Sequence, residues 1–198
     1  MVSKVNEIEV RLNSLQDYIL SESYTGYDPF DGLMSPMFKL PFLRNNKWLR
    51  FGFQQVFRRI PFNLRPALGI KKSLNPVTLG LAIQAFTYLS QVFPQKKEIY
   101  AEQLHFCLNK LVELESKNCS GACWGYDFDW EARYAKITAF TPTIVATGII
   151  TNSLFVYYQY SKNEIAKNLI ISSTDFILND LYRTYDKNGV AQHKFLFF

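Results

Sequence analysis

Asn75-Pro76-Val77-Thr78-Leu79-Gly80 and Thr141-Pro142-Thr143-Ile144-Val145-Ala146-Thr147-Gly148 are two versions of one signal. A small polar residue precedes proline, and an apolar run follows. Asparagine before proline caps a helix, and proline in the first turn lacks only an N–H that would have no intrahelical partner there. The first copy predicts a helix over residues 75–93, stopped by Pro94. The second predicts one over residues 142–160. Gly80, Ala82 and Ala85 keep one face of the first helix narrow enough for a close neighbour. A more polar, amphipathic segment follows each helix at once. Residues 96–116 carry Ile99, Leu104, Leu108, Leu111 and Leu114, and residues 163–185 carry Ala166, Leu169, Ile170, Phe176, Ile177 and Leu181. The repeated unit is a helical hairpin.

Working toward the amino terminus, residues 3–21 hold Val5, Ile8, Leu12, Leu15 and Ile19 at helical steps, with Ser3 placed to cap them. Residues 45–59 are a further helix, with Trp48, Phe51 and Phe57 spread around it. No stretch alternates with period two over six residues, apart from short strand candidates in the loops and the tail. The expected fold is all-α: six long helices in antiparallel pairs, one domain over residues 1–198.

Two similar loops introduce the hairpins, over residues 26–41 and 118–141. The first contains Gly26-Tyr27-Asp28-Pro29-Phe30-Asp31-Gly32, and prolines at 29, 36 and 41 forbid a regular helix within it. The second contains Cys123-Trp124-Gly125-Tyr126-Asp127-Phe128-Asp129-Trp130-Glu131.

Composition narrows the classes. With 48% apolar and 20% charged residues the chain is not disordered. Aromatics at 16% supply a core or stacking platforms. The first residues lack the apolar run of a signal peptide, and no segment reaches eighteen apolar residues, so no membrane span and a cytoplasmic location are expected. Three cysteines, Cys107, Cys119 and Cys123, suit free thiols in a reducing compartment. Neither histidine lies near Cys119 and Cys123 in sequence, and no phosphate loop or catalytic triad order appears, so no metal and no cofactor are expected. The net charge is +5, and between Asp31 and Glu98 there is no acid, only lysines and arginines from Lys39 to Lys97. Such an interval favours an anionic partner, unless acids from elsewhere in the fold neutralise it. A nucleic-acid partner is the weaker reading, because aromatics do not interleave with these cations as in single-strand binders.

The stretches at 124–130 and 141–147, together with Asp175-Phe176-Ile177-Leu178-Asn179-Asp180-Leu181, resemble the α/α-toroid proteins of bacterial capsule and lipopolysaccharide biosynthesis. At fold level they also resemble the six-hairpin glycosidases. The resemblance implies a partial toroid, with this chain matching an amino-terminal half. It implies a role in binding or processing a glycan, in an anionic form given the basic interval. A non-catalytic scaffold within a surface-polysaccharide assembly is the alternative. The apolar ending Phe195-Leu196-Phe197-Phe198 departs from that family and predicts an exposed edge, along it and the sixth helix, that promotes self-association.

Glycosidic cleavage needs two carboxyl groups across the scissile bond, one protonated and one ionised. Asp28 and Asp31 in one loop, and Asp127 and Asp129 in the other, supply two such pairs facing one cavity. Tyr27, Trp124, Tyr126 and Trp130 would stack on sugar rings, and Arg133 would hold an acidic group. The competing structural reading has the aspartates tying loops through backbone N–H groups and the aromatics plugging the end of the array.

Overall fold

The computed structural model describes residues 2–133, 135–189 and 191–193, and the chain is all-α. In order come α1 (Val2–Ser21), β1 (Thr25–Gly26), α2 (Pro41–Asn45), α3 (Lys47–Phe57), β2 (Ser73–Leu74), α4 (Pro76–Val92) and α5 (Lys97–Glu113). Then follow β3 (Trp130–Glu131), β4 (Lys136–Ile137), α6 (Ile144–Ser161), α7 (Glu164–Asn179), β5 (Arg183–Tyr185) and β6 (Ala191–His193). The strands pair only as antiparallel couples, β1 with β2, β3 with β4 and β5 with β6.

The helix starts follow from side-chain caps. Asn75 accepts from the Val77 N–H, Thr143 from Ala146 and Asn163 from Ala166, each meeting one otherwise orphaned donor. The fifth predicted helix therefore begins at Ile144, with Thr143 rather than Pro142 at its threshold. Similarly, α1 already includes Ser3, so Ser3 does not cap it. The sixth stops at Asn179, short of the predicted 185, because the chain turns to form β5 against β6. Within the first loop two 3-10 turns form, Asp31–Met34 and Pro36–Lys39, and Pro41 opens α2 from its first turn.

Two hairpins build the core. α4 packs on both α5 and α6, and α6 packs on α7, so α4 and α6 are the inner pair. Leu79 and Ile83 of α4, Leu108 and Leu111 of α5, and Ile150 and Leu154 of α6 are fully buried, each contributing about 1.5–3 kcal/mol by leaving water. The narrow face at Gly80 is where the inner helices meet. A Cβ there would lie 3.0 Å from Ile150 Cγ1 and 3.2 Å from its Cα. Buried hydroxyls spend their hydrogen bonds on the preceding turn, as Thr87 does on Ile83 O at 2.7 Å and Ser90 on Phe86 O at 2.8 Å.

The expected first hairpin is different. Among the described residues α1 and α3 do not pack together as a pair. Among the described residues α1 reaches the core through Ile19 and Leu20 of its last turn, while Ile8, Val10 and Leu15 stay exposed. α3 instead packs on β3 and on the Asp31–Met34 turn. Its inward face is polar: Arg50 Nε binds Glu131 Oε2 at 2.6 Å, and Gln54 Oε1 accepts from the Glu131 N–H at 2.8 Å. Two consecutive hairpins are common to every helical array, so the toroid remains an implication of the resemblance. α7 exposes Ile165, Ile171 and Leu178 along the predicted apolar edge, and residues 195–198 lie outside the described residues.

Candidate functional site

The β1–β2 couple sets Thr25 opposite Leu74 and Gly26 opposite Ser73. It thereby fastens the first aspartate loop to the chain just ahead of α4. Ser73 Oγ in turn donates to Asp127 Oδ2, which brings in the second loop. Between these segments and α1 lies a cleft of about 520 Å³. Its wall carries Tyr27, Asp28 and Asp127, its floor Leu81, Ala82 and Ala85 of α4, and its rim Tyr18 and Glu22 of α1.

Asp28 and Asp127, one from each loop, thus open on one cavity, and Asp31 and Asp129 do not line it. Asp28 Oδ1 accepts from the Phe30 N–H at 2.9 Å. Burial pushes the Asp28 carboxyl above the ordinary range, opposed by that N–H and by Arg65, and reinforced by the negative charge of Asp127. Asp127 is buried, and its Oδ1 has no donor among the described residues.

The folded chain therefore holds the Asp28 proton more tightly than the unfolded chain does. Stability from this group is complete below the unfolded carboxylate value of about 4 and is lost as pH rises through the higher folded value. Asp28→Asn should remove that loss. Urea titrations of both proteins at pH 4 and pH 7 are expected to show the variant gaining on the wild type as pH rises. A constant difference would sink the assignment.

Asp31 and Asp129 belong to the scaffold instead. Asp31 is buried and takes Arg65 Nε on both oxygens, at 2.8 and 2.9 Å, and the Asp28 N–H at 3.1 Å. Burial pushes its carboxyl up while Arg65 and that N–H hold it down. Asp129 ties the β3–β4 turn, accepting from Ala139 N–H at 2.8 Å and pairing with Lys136 at 2.6 Å. These are the loop-fastening roles that aspartates take in turns.

The aromatics divide likewise. Trp124 is not a sugar platform: it is fully buried, and its indole N–H donates to Leu111 O at 2.8 Å. Tyr126 stacks on Phe128 with ring centroids 5.5 Å apart. Trp130 lies half-buried in β3, and like Tyr126 it does not line the cleft. Tyr27 does, and the Arg65 guanidinium sits 5.5 Å from its ring centroid. Arg133 stands at the exposed turn between β3 and β4, where its carbonyl accepts from Lys47 Nζ at 2.7 Å. It takes no part in the cleft.

Two further features escaped the loop reading. Ser73 follows Lys71-Lys72 with no motif to mark it. Part of the basic interval is neutralised from outside: Arg50 by Glu131, Arg65 by Asp31 and Lys72 by Glu22. The three thiols are free. Burial pushes Cys107 up to about 12 and also raises Cys123, so neither is an activated nucleophile. Among the described residues no cluster of three His, Cys, Asp or Glu side chains is placed to hold a metal, and no helix is long and apolar enough to cross a membrane.

No protein-family model, curated protein or solved structure shows significant similarity to this chain.

Proposed function

We propose that the protein binds a glycan in the cleft between its two aspartate loops, with Asp28 and Asp127 as the polar anchors. The observation that carries this reading is the cleft itself, where one carboxyl from each loop, Asp28 and Asp127, stands beside the Tyr27 ring, and where burial makes Asp28 retain its proton. Tyr27 offers a ring face, and Ser73, Asn75 and Thr78 offer donors and acceptors on the same wall. If the site cleaves its ligand, Asp28 is the group suited to hold the proton and Asp127 is its opposite number.

The preference for an anionic glycan is revised. Among the described residues Glu22, Asp28 and Asp127 line the cleft, and no lysine or arginine does. Like charges repel, so a neutral sugar or an amino sugar suits this wall better than a uronic acid. The resemblance to polysaccharide-biosynthesis proteins supports the same ligand class.

Calorimetric titration with neutral, amino and acidic oligosaccharides tests the reading. Asp127→Asn and Tyr27→Ala are expected to weaken binding about tenfold or more, roughly the effect of one charge-assisted hydrogen bond or one stacked ring. Asp129→Asn, away from the cleft, should leave binding unchanged. Equal affinity across all three variants, or no binding of any saccharide, would remove the cleft from consideration.

A further inference from the structure

α3 is polarised against the usual sense. Its buried positions are Arg50, Gln54 and Phe57, and two of those three are polar. Trp48 and Val56, with Gly52 between them, fall at steps of four and share the outward stripe. Trp48 is 79% exposed and Leu49 adjoins it. Just ahead, α2 and its approach expose Phe42 at 74% and Leu40 at 59%. Phe42, Lys47 and Trp48 line one shallow surface depression, so the two helices present a continuous patch.

Cations accompany that patch along the chain, and Lys47 stands in it. Lys39, Arg44, Lys47 and Arg59 are exposed, and none is in an ion pair among the described residues. No acid occurs in sequence between Asp31 and Glu98 to offset them. The ion pairs that do neutralise this interval use Arg50, Arg65 and Lys72 and leave the α2–α3 face positive.

We propose that the α2–α3 face docks on an anionic lipid surface, lying in the interface without crossing it. Contrary to the sequence expectation, rings do interleave with cations here, Phe42 and Trp48 among Lys39, Arg44 and Lys47. Apolar side chains so interleaved are what a headgroup layer selects: the rings and aliphatic chains enter the acyl boundary while the cations meet lipid phosphates. Tryptophan is favoured at that depth. Leu40, Leu49 and Val56 separate this from nucleic-acid binding, because aliphatic side chains offer bases no stacking face. Complementary charge favours an anionic membrane over a second copy of this equally basic face.

Co-sedimentation of the full chain with phosphatidylglycerol-containing vesicles, against pure phosphatidylcholine, is the test. Binding is expected only to the anionic vesicles and should fall with added salt. Of the three tryptophans Trp124 is buried and Trp130 half-buried, so a blue shift in emission on binding reports Trp48. Lys39→Glu with Arg44→Glu should lower partitioning about tenfold or more. Trp48→Phe should abolish the blue shift and keep binding, and Trp48→Ser should weaken it. All these positions are exposed, and circular dichroism checks that the variants keep their helices. The proposal is overturned if no vesicles pellet the protein, or if the double charge variant binds as well as wild type. It is equally overturned if Trp48→Ser changes only oligonucleotide binding or only sedimentation of the free protein.

Discussion

Glu131→Ala lowers the stability of the protein by about 3–5 kcal/mol, the usual cost of removing one partner from a buried ion pair. The Glu131 side chain is 1% exposed and that of Arg50 10%. Deleting the carboxylate leaves a buried guanidinium with, among the described residues, the Arg44 carbonyl as its remaining acceptor. The loss extends beyond the pair, because the same contact holds α3 on the β3–β4 turn. Melting should fall by roughly 10 °C in calorimetry. Replacing both partners by apolar residues, Arg50→Met with Glu131→Leu, should recover much of that loss, since no charge is then stranded. A Glu131→Ala variant within 1 kcal/mol of wild type would show the pair to be solvated in solution.

A comparable effect is expected from one methyl group in the second loop. A Cβ at Gly125 would stand 2.0 Å from Thr141 O, and one at Gly121 would stand 1.9 Å from Ser172 O and 2.9 Å from Phe176 N. Both obstacles are backbone, Ser172 and Phe176 within α7 and Thr141 in the turn ahead of α6, so neither can rotate aside as a side chain would. Gly125→Ala or Gly121→Ala should cost about 3 kcal/mol or more, at the upper end of overpacking. Gly52→Ala and Gly148→Ala form the control. Both sit in helices with nothing within 4 Å of the added carbon, so each should gain about 0.5–1 kcal/mol. Urea midpoints of the four variants decide it, and similar midpoints throughout would mean the loop is looser than its contacts.

The hairpins were legible because their signals are local. Asn75-Pro76 and Thr141-Pro142-Thr143 place caps within a residue or two of the helices that form, and the apolar steps after them mark the buried faces. Gly80 could be read as a close approach because a small residue on an apolar face has little other use, and Ile150 occupies that space. That α1 and α3 would not form the first hairpin was not legible. Residues 22–46 carry prolines whose turns have no periodicity to read, and α3's inward face is polar, which reverses the pattern that marks a core.

In the site, the duplication of the aspartate loops pointed to a shared cavity, and Asp28 and Asp127 share one. Which aspartate of each loop faces the cavity depended on partners outside the repeated motif. Arg65 captures Asp31, and Lys136 captures Asp129. Trp124 looked like a ligand platform because a tryptophan beside acids carries the same letters whether it meets a sugar or the Leu111 carbonyl. Burial separates those cases, and burial is a property of the assembled fold.

The cleft also has a place in time. Its walls are held by contacts that reach far along the chain: the Ser73–Asp127 hydrogen bond spans 54 positions and the Lys72–Glu22 bond, which fixes the α1 rim, 50. The α4–α5 and α6–α7 hairpins join neighbouring segments and assemble at much lower loop-closure cost. The helices are therefore the early product of folding and the cleft the late one. On gentle denaturation the order reverses, and the cleft opens while most of the helical signal survives. Helicity and the capacity to bind are separate measures of this chain, and only the second certifies that it has finished folding.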